Sequence, residues 1–129
     1  MYNSEWFKNL NRPFLAPPDS VFAPVWTVLY IMIFASLFLF LRTQSVNSKK
    51  EGIIFFVIQL LLNFAWSPTF FVYKNILLAL IILILLIIFI ILTYLSFKKV
   101  SNLSAYLLIP YFLWCCFALY LNSSYLWLN

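Results

Sequence analysis

Charged residues divide this chain into long uncharged runs. Ser20–Leu41, Gly52–Tyr73, Asn75–Phe97 and Val100–Asn129 contain no Asp, Glu, Lys or Arg. A membrane-spanning helix takes about 20 mostly apolar residues, so each run can cross once. None alternates apolar and polar positions as barrel strands do. In the third run, 18 of the 22 residues from Ile76 to Phe97 are Leu, Ile or Phe. At about −0.3 to −0.6 kcal/mol each, insertion of that run is favoured by several kcal/mol. The pattern predicts helices over about 20–42, 52–73, 75–97 and 102–125, with 1–19 as a Pro-rich extramembrane segment. The fold class is therefore an all-α integral membrane protein, a bundle of four transmembrane helices forming a single domain over 1–129.

Composition agrees with the pattern. Of 129 residues, 66% are hydrophobic and 9% charged, against about 25% charged in soluble domains. That excludes a water-soluble globular domain and a disordered tail. Residues 1–19 hold Glu5, Asp19, Pro13, Pro17 and Pro18 but no apolar run, unlike a secretory signal. The basic residues set the orientation. Arg42, Lys49, Lys50, Lys98 and Lys99 fall on one side, and Lys8, Arg12 and Lys74 on the other with both termini. The bias toward basic inner loops places 42–51 and 98–101 in the cytoplasm and both termini outside. Continuous apolar helices with this bias suit a bacterial cell membrane. The net charge of +5 thus reports topology, and nucleic acid is not expected as a partner.

Depth along the helices picks out the tryptophans. At 1.5 Å per residue, Trp26 lies roughly 9 Å, Trp66 roughly 10 Å and Trp114 roughly 13 Å below the outer surface. Trp6 and Trp127 flank the same side. An aromatic belt is one reading, but belts form at both interfaces and this chain has no tryptophan near the inner one. Gln59, Asn63, Trp66 and Phe70 form one stripe of the second helix, at spacings of four, three and four. Two amides in hydrocarbon need partners. They either tie helices together or line a cavity with polar spots. Tyr111, Trp114, Ala118 and Tyr125 share a face of the fourth helix, as do Trp26, Tyr30 and Ile33 on the first. Aromatic walls with a few amides suit a flat, apolar ligand with polar edges. Pro68 and Pro110 interrupt the second and fourth helices, as kinks or as hinges.

Three motifs resemble the TspO/MBR family of tryptophan-rich sensory proteins and translocator proteins. They are Trp6 through Pro13, Pro17 and Pro18 to the stretch Phe22–Tyr30; Gln59–Ser67 with Phe70 and Phe71; and Ala105–Ala118 with Leu121 and Asn122. The resemblance implies packed transmembrane helices with a pocket open toward the first loop. It implies binding of porphyrins such as protoporphyrin IX and haem, of sterols in some members, and of isoquinoline and benzodiazepine drugs. It carries pocket roles to Trp6, Phe7, Trp26, Gln59, Asn63, Trp114 and Ala118; the face patterns add Tyr30 and Trp66. Trp6 and Trp114 would be the redox-active groups in light- and oxygen-dependent porphyrin breakdown. Family members usually have one more helix before the segment matching Trp6; the expectation here is a chain without it, its gap open or filled by a second subunit, or else a misassigned start codon. Leu15 stands where the family often has Trp. Tyr125 lacks the following basic residue of the family's sterol pattern, while Leu92, Tyr94 and Lys98 fit that weak pattern elsewhere. Ala79 is the lone small residue of the third helix, which argues against a homodimer through close packing there.

The chain has no histidine, and Glu5, Asp19 and Glu51 lie in loops or at helix ends. Acid–base catalysis by His or carboxylate within the membrane is thereby excluded. No zinc or calcium constellation exists, and no cofactor is required. Cys115 and Cys116, adjacent in one helix, read as packing residues, with haem-thiolate ligation as the alternative. Three functions are weighed: binding and sensing of porphyrin-like ligands, an uncoupled tetrapyrrole, lipid or sterol carrier, and an enzyme degrading porphyrin through tryptophan radicals. The first leads.

Overall fold

The computed structural model describes residues 19–44 and 49–128. Among them the regular elements are helices: α1 (Asp19–Arg42), α2 (Lys50–Phe71), α3 (Ile76–Lys98), α4 (Asn102–Tyr106) and α5 (Ile109–Leu128). Four spans are long and apolar enough to cross a membrane, the last built from α4 and α5 together. The protein is an all-helical integral membrane protein. Its large exposed side chains, such as Ile31, Phe38, Leu61 and Leu95, are apolar, as a lipid-facing surface requires.

The fourth span differs from the single helix over 102–125 that the pattern predicts. It breaks at Leu107 and Leu108. Pro110 has no N–H to donate back to Tyr106, so the hydrogen-bond ladder of α4 is interrupted there. Tight bonds close α4 instead: Leu107 N–H donates to the Leu103 carbonyl at 3.2 Å and Leu108 N–H to that of Ala105 at 3.0 Å. Phe112 N–H then bonds the Leu108 carbonyl at 2.9 Å and starts the new register. Pro68 behaves otherwise, and α2 continues through it to Phe71.

α2 and α3 pack along each other, and α3 also packs on α4 and α5. The turn between α2 and α3 is tight. Lys74 takes φ 57°, the left-handed conformation that ends a helix. Asn75 then caps α3 by accepting the Leu78 N–H at 3.0 Å. The buried residues of α3, Ala79, Leu83, Leu86, Ile90, Thr93 and Phe97, recur at steps of four and three, a seam facing the rest of the bundle.

The basic end is closed by rings. Phe40 and Phe97 stack with centroids 4.0 Å apart, and Phe56 lies parallel to Phe97 at 6.0 Å. Gly52 makes room for them, since a Cβ there would meet Phe40 Cζ at 2.6 Å. Nearby, α1 and α4 are clamped by a reciprocal pair. Ser36 Oγ donates to the Ser104 carbonyl at 2.6 Å, and Ser104 Oγ to the Ser36 carbonyl at 2.5 Å. Side chains this small let the two backbones approach, the usual way membrane helices gain contact.

Candidate functional site

At mid-membrane depth, α1, α2 and α5 bring four polar side chains together. The Tyr30 hydroxyl donates to Asn63 Oδ1. Asn63 Nδ2 donates to the Tyr111 hydroxyl oxygen at 2.8 Å. The Tyr111 hydroxyl donates to Gln59 Oε1 at 2.7 Å. The result is one directed chain, Tyr30 to Asn63 to Tyr111 to Gln59. It follows from the four-residue spacing of Gln59 and Asn63, which stacks both amides on one face of α2. Gln59, Asn63 and Tyr111 are buried, and Gln59 Nε2 has no hydrogen-bond partner among the described residues. A buried donor left over costs about 1–3 kcal/mol.

Toward the end away from the lysine-rich loops, these bonded side chains support an aromatic cluster. Trp26 lies 5.7 Å from Tyr30, ring centroid to centroid, and meets Trp114 edge to face at 6.4 Å and 89°. That edge-to-face geometry matches the ring quadrupoles. Phe117 continues the cluster, 5.5 Å from Trp114. Trp26, Tyr30 and Trp114 are each half-buried, so their rings border the core without being sealed in it. Ala118, one turn beyond Trp114, is buried in the same core.

Trp66 goes elsewhere. Its indole N–H donates to Asn122 Oδ1 at 2.9 Å, and Asn122 Nδ2 donates to the Ile76 carbonyl at 3.1 Å. This ties α2, α3 and α5 together over a second core of Phe70, Ala79, Leu121 and Tyr125. The stripe on α2 is therefore split: its two amides serve the chain with Tyr30 and Tyr111, and Trp66 and Phe70 serve this second tie. Trp6 and Phe7 lie outside the described residues. Cys115 is buried and Cys116 half-buried, both as free thiols.

Two residues stand out more in the structure than in the sequence reading. The helical spacing puts Tyr111 on the Trp114 face without marking it as a site residue, yet its hydroxyl joins both amides. Asn122 appeared only as the end of a motif. The available signal was the same for each: a lone polar group in an apolar helix has to be satisfied.

Known proteins share this chain's sequence over nearly its full length. The profile of the TspO/MBR family matches residues 1–128. The "Tryptophan-rich protein TspO" of Chlorobaculum tepidum is 43% identical over 127 residues, covering 98% of this chain and 80% of that protein. A "Tryptophan-rich sensory protein" of Cereibacter sphaeroides is 30% identical, covering 97% of this chain and 77% of the relative. The "Translocator protein" of Ovis aries is 32% identical, covering 91% and 70%. With its spans, its paired tryptophans and this similarity, the chain belongs to the TspO/MBR family.

Proposed function

We propose that the protein binds porphyrin-class ligands, protoporphyrin IX or haem, within the outer half of the membrane as a sensor or carrier of tetrapyrroles. The observation that supports this most is the Trp26–Trp114 pair, half-buried and braced by the Tyr30–Asn63–Tyr111–Gln59 chain. Flat aromatic ligands gain most from rings already fixed in position, because little side-chain freedom is lost on binding. Both sides of the Asn63 amide are engaged with tyrosines, so its part is to hold the wall rigid. Contact with the ligand falls to the indoles. In the same reading the basic end faces the cytoplasm of a bacterial cell, and the aromatic cluster opens outward.

The test is a titration of purified protein with protoporphyrin IX, read by tryptophan fluorescence in wild type and Trp114→Phe. Saturable quenching at micromolar ligand, weakened by about tenfold in the variant, is expected for the loss of one stacking contact of about 1–1.5 kcal/mol. Linear, unsaturable quenching in both proteins overturns the reading.

A further inference from the structure

A second feature lies between α3 and the break that separates α4 from α5, toward the basic end. Ile90, Ile91 and Tyr94 of α3, with Leu108, Ile109 and Phe112 beside the helix break, line a groove of about 310 Å³. Its walls are almost wholly apolar. The groove begins close to the membrane surface: Tyr94 is one turn below Lys98, and Ile90 is about 12 Å below it at 1.5 Å per residue. The Lys98 ammonium stands 5.9 Å from the centre of the Tyr94 ring, so the mouth of the groove carries a cation. Lys99 follows it, exposed at the helix end. Around them the same end presents Arg42, Lys49 and Lys50 against the single acid Glu51 among the described residues.

An apolar trough at acyl-chain depth, topped by ammonium groups at headgroup depth, is complementary to one kind of molecule. We propose that this groove holds an acyl chain of an anionic phospholipid, whose phosphate rests against Lys98 and Lys99. The surplus of positive charge selects anionic over zwitterionic headgroups, because each lysine near the membrane surface attracts negative lipid. The break before Pro110 gives the groove its place, since the chain turns there and sets Ile109 on its rim. The groove shares no lining residue with the Trp26–Tyr30–Trp114–Phe117 cluster, and the proposal does not depend on porphyrin binding.

The experiment uses the whole protein in nonionic detergent, with phosphatidylglycerol and phosphatidylcholine of equal chain length, and retained lipid counted by native mass spectrometry. One tightly held phosphatidylglycerol is expected at concentrations where phosphatidylcholine is not retained. Lys98→Gln and Lys99→Gln should each weaken it about fivefold, and together about 25-fold. Ile109→Trp, at an exposed position on the rim, should weaken it with both lysines intact. Melting midpoints within a few degrees of wild type establish that the variants are folded. Equal retention of the two lipids overturns the proposal, as does undiminished phosphatidylglycerol binding in the double lysine variant. Displacement by free glycerol phosphate at equal concentration would reduce the site to a headgroup contact and also overturn it. So would a sterol that occupies the groove as tightly as phosphatidylglycerol and is insensitive to the lysines.

Discussion

Asn63 and Gln59 sit one turn apart on α2 and look equivalent in sequence, yet their positions in the hydrogen-bonded chain differ. Asn63 accepts from Tyr30 and donates to Tyr111, so Asn63→Leu strands the Tyr30 hydroxyl and takes one of two bonds from Tyr111, which still donates to Gln59. Gln59 accepts one bond and keeps a buried donor with no partner among the described residues, so Gln59→Met loses a bond but also removes an orphan. Interhelical hydrogen bonds in membranes average about 0.6 kcal/mol, and a stranded buried group costs about 1–3 kcal/mol. Asn63→Leu is therefore expected to destabilise by about 2 kcal/mol and Gln59→Met by less than about 1 kcal/mol. Unfolding in detergent, followed by circular dichroism, checks the order; equal losses would mean the chain is not directed as drawn. Gly52 offers a second case. A Cβ 2.6 Å from Phe40 Cζ forces the Phe40–Phe97 stack apart, and such overpacking costs about 1–3 kcal/mol. Gly52→Ala should lower the melting midpoint, while Ser123→Ala at an exposed site should not. The amides were legible from their cost in hydrocarbon. Tyr111 was not, because an apolar ring with one hydroxyl reads equally well as packing.

Among the elements, the two prolines show what a rule about residue type leaves open. Both remove a backbone donor, yet α2 runs through Pro68 and the fourth span breaks before Pro110. Near Pro68, Thr69 Oγ1 donates to the Ala65 carbonyl at 2.8 Å, and Val72 and Tyr73 N–H groups both close on the Pro68 carbonyl, at 2.8 and 3.0 Å. The helix thus reorganises near its natural end. Pro110 acts near the start of a span, where the short α4 is already held to α1 by the Ser36–Ser104 clamp. The sequence showed where hydrogen bonds are lost, but not which neighbour holds the chain in place afterwards. The turn between α2 and α3 was more legible, because so few residues force the helices side by side. Its strain sits at Lys74, a side-chain-bearing residue with φ 57°. Glycine adopts that conformation freely, so Lys74→Gly should stabilise the protein by about 0.5–1 kcal/mol. A lower melting midpoint in that variant would show that the lysine's own contacts outweigh its backbone strain.

For the molecule as a whole, the two ends are built differently, and the difference has a consequence for orientation. The span count was readable because a bilayer demands about 20 apolar residues per crossing. Which face of each helix turns inward was readable only in part. α3 is apolar on every side, so its seam from Ala79 to Phe97 emerges only from packing. α2 betrayed its inner face through its amides. The ends divide by charge and by ring type. One carries Arg42, Lys49, Lys50, Lys98 and Lys99 over a phenylalanine stack, with Arg42 and Lys49 set against the Phe38 and Phe40 rings at 5.6 and 6.0 Å. The other carries Trp26, Trp66, Trp114 and Trp127, with Lys74 as its charge among the described side chains. If basic loops stay in the cytoplasm, the aromatic cluster opens outward and meets ligand arriving from that side. This is testable in intact bacterial cells with a membrane-impermeant maleimide, after Cys115 and Cys116 are replaced by alanine. Tyr73→Cys, on the exposed turn between α2 and α3, should be labelled directly. Asn102→Cys, at the exposed start of α4, should be labelled only after the membrane is opened. The reverse pattern would place the lysine-rich end outside, and the aromatic cluster would then face ligand made within the cell.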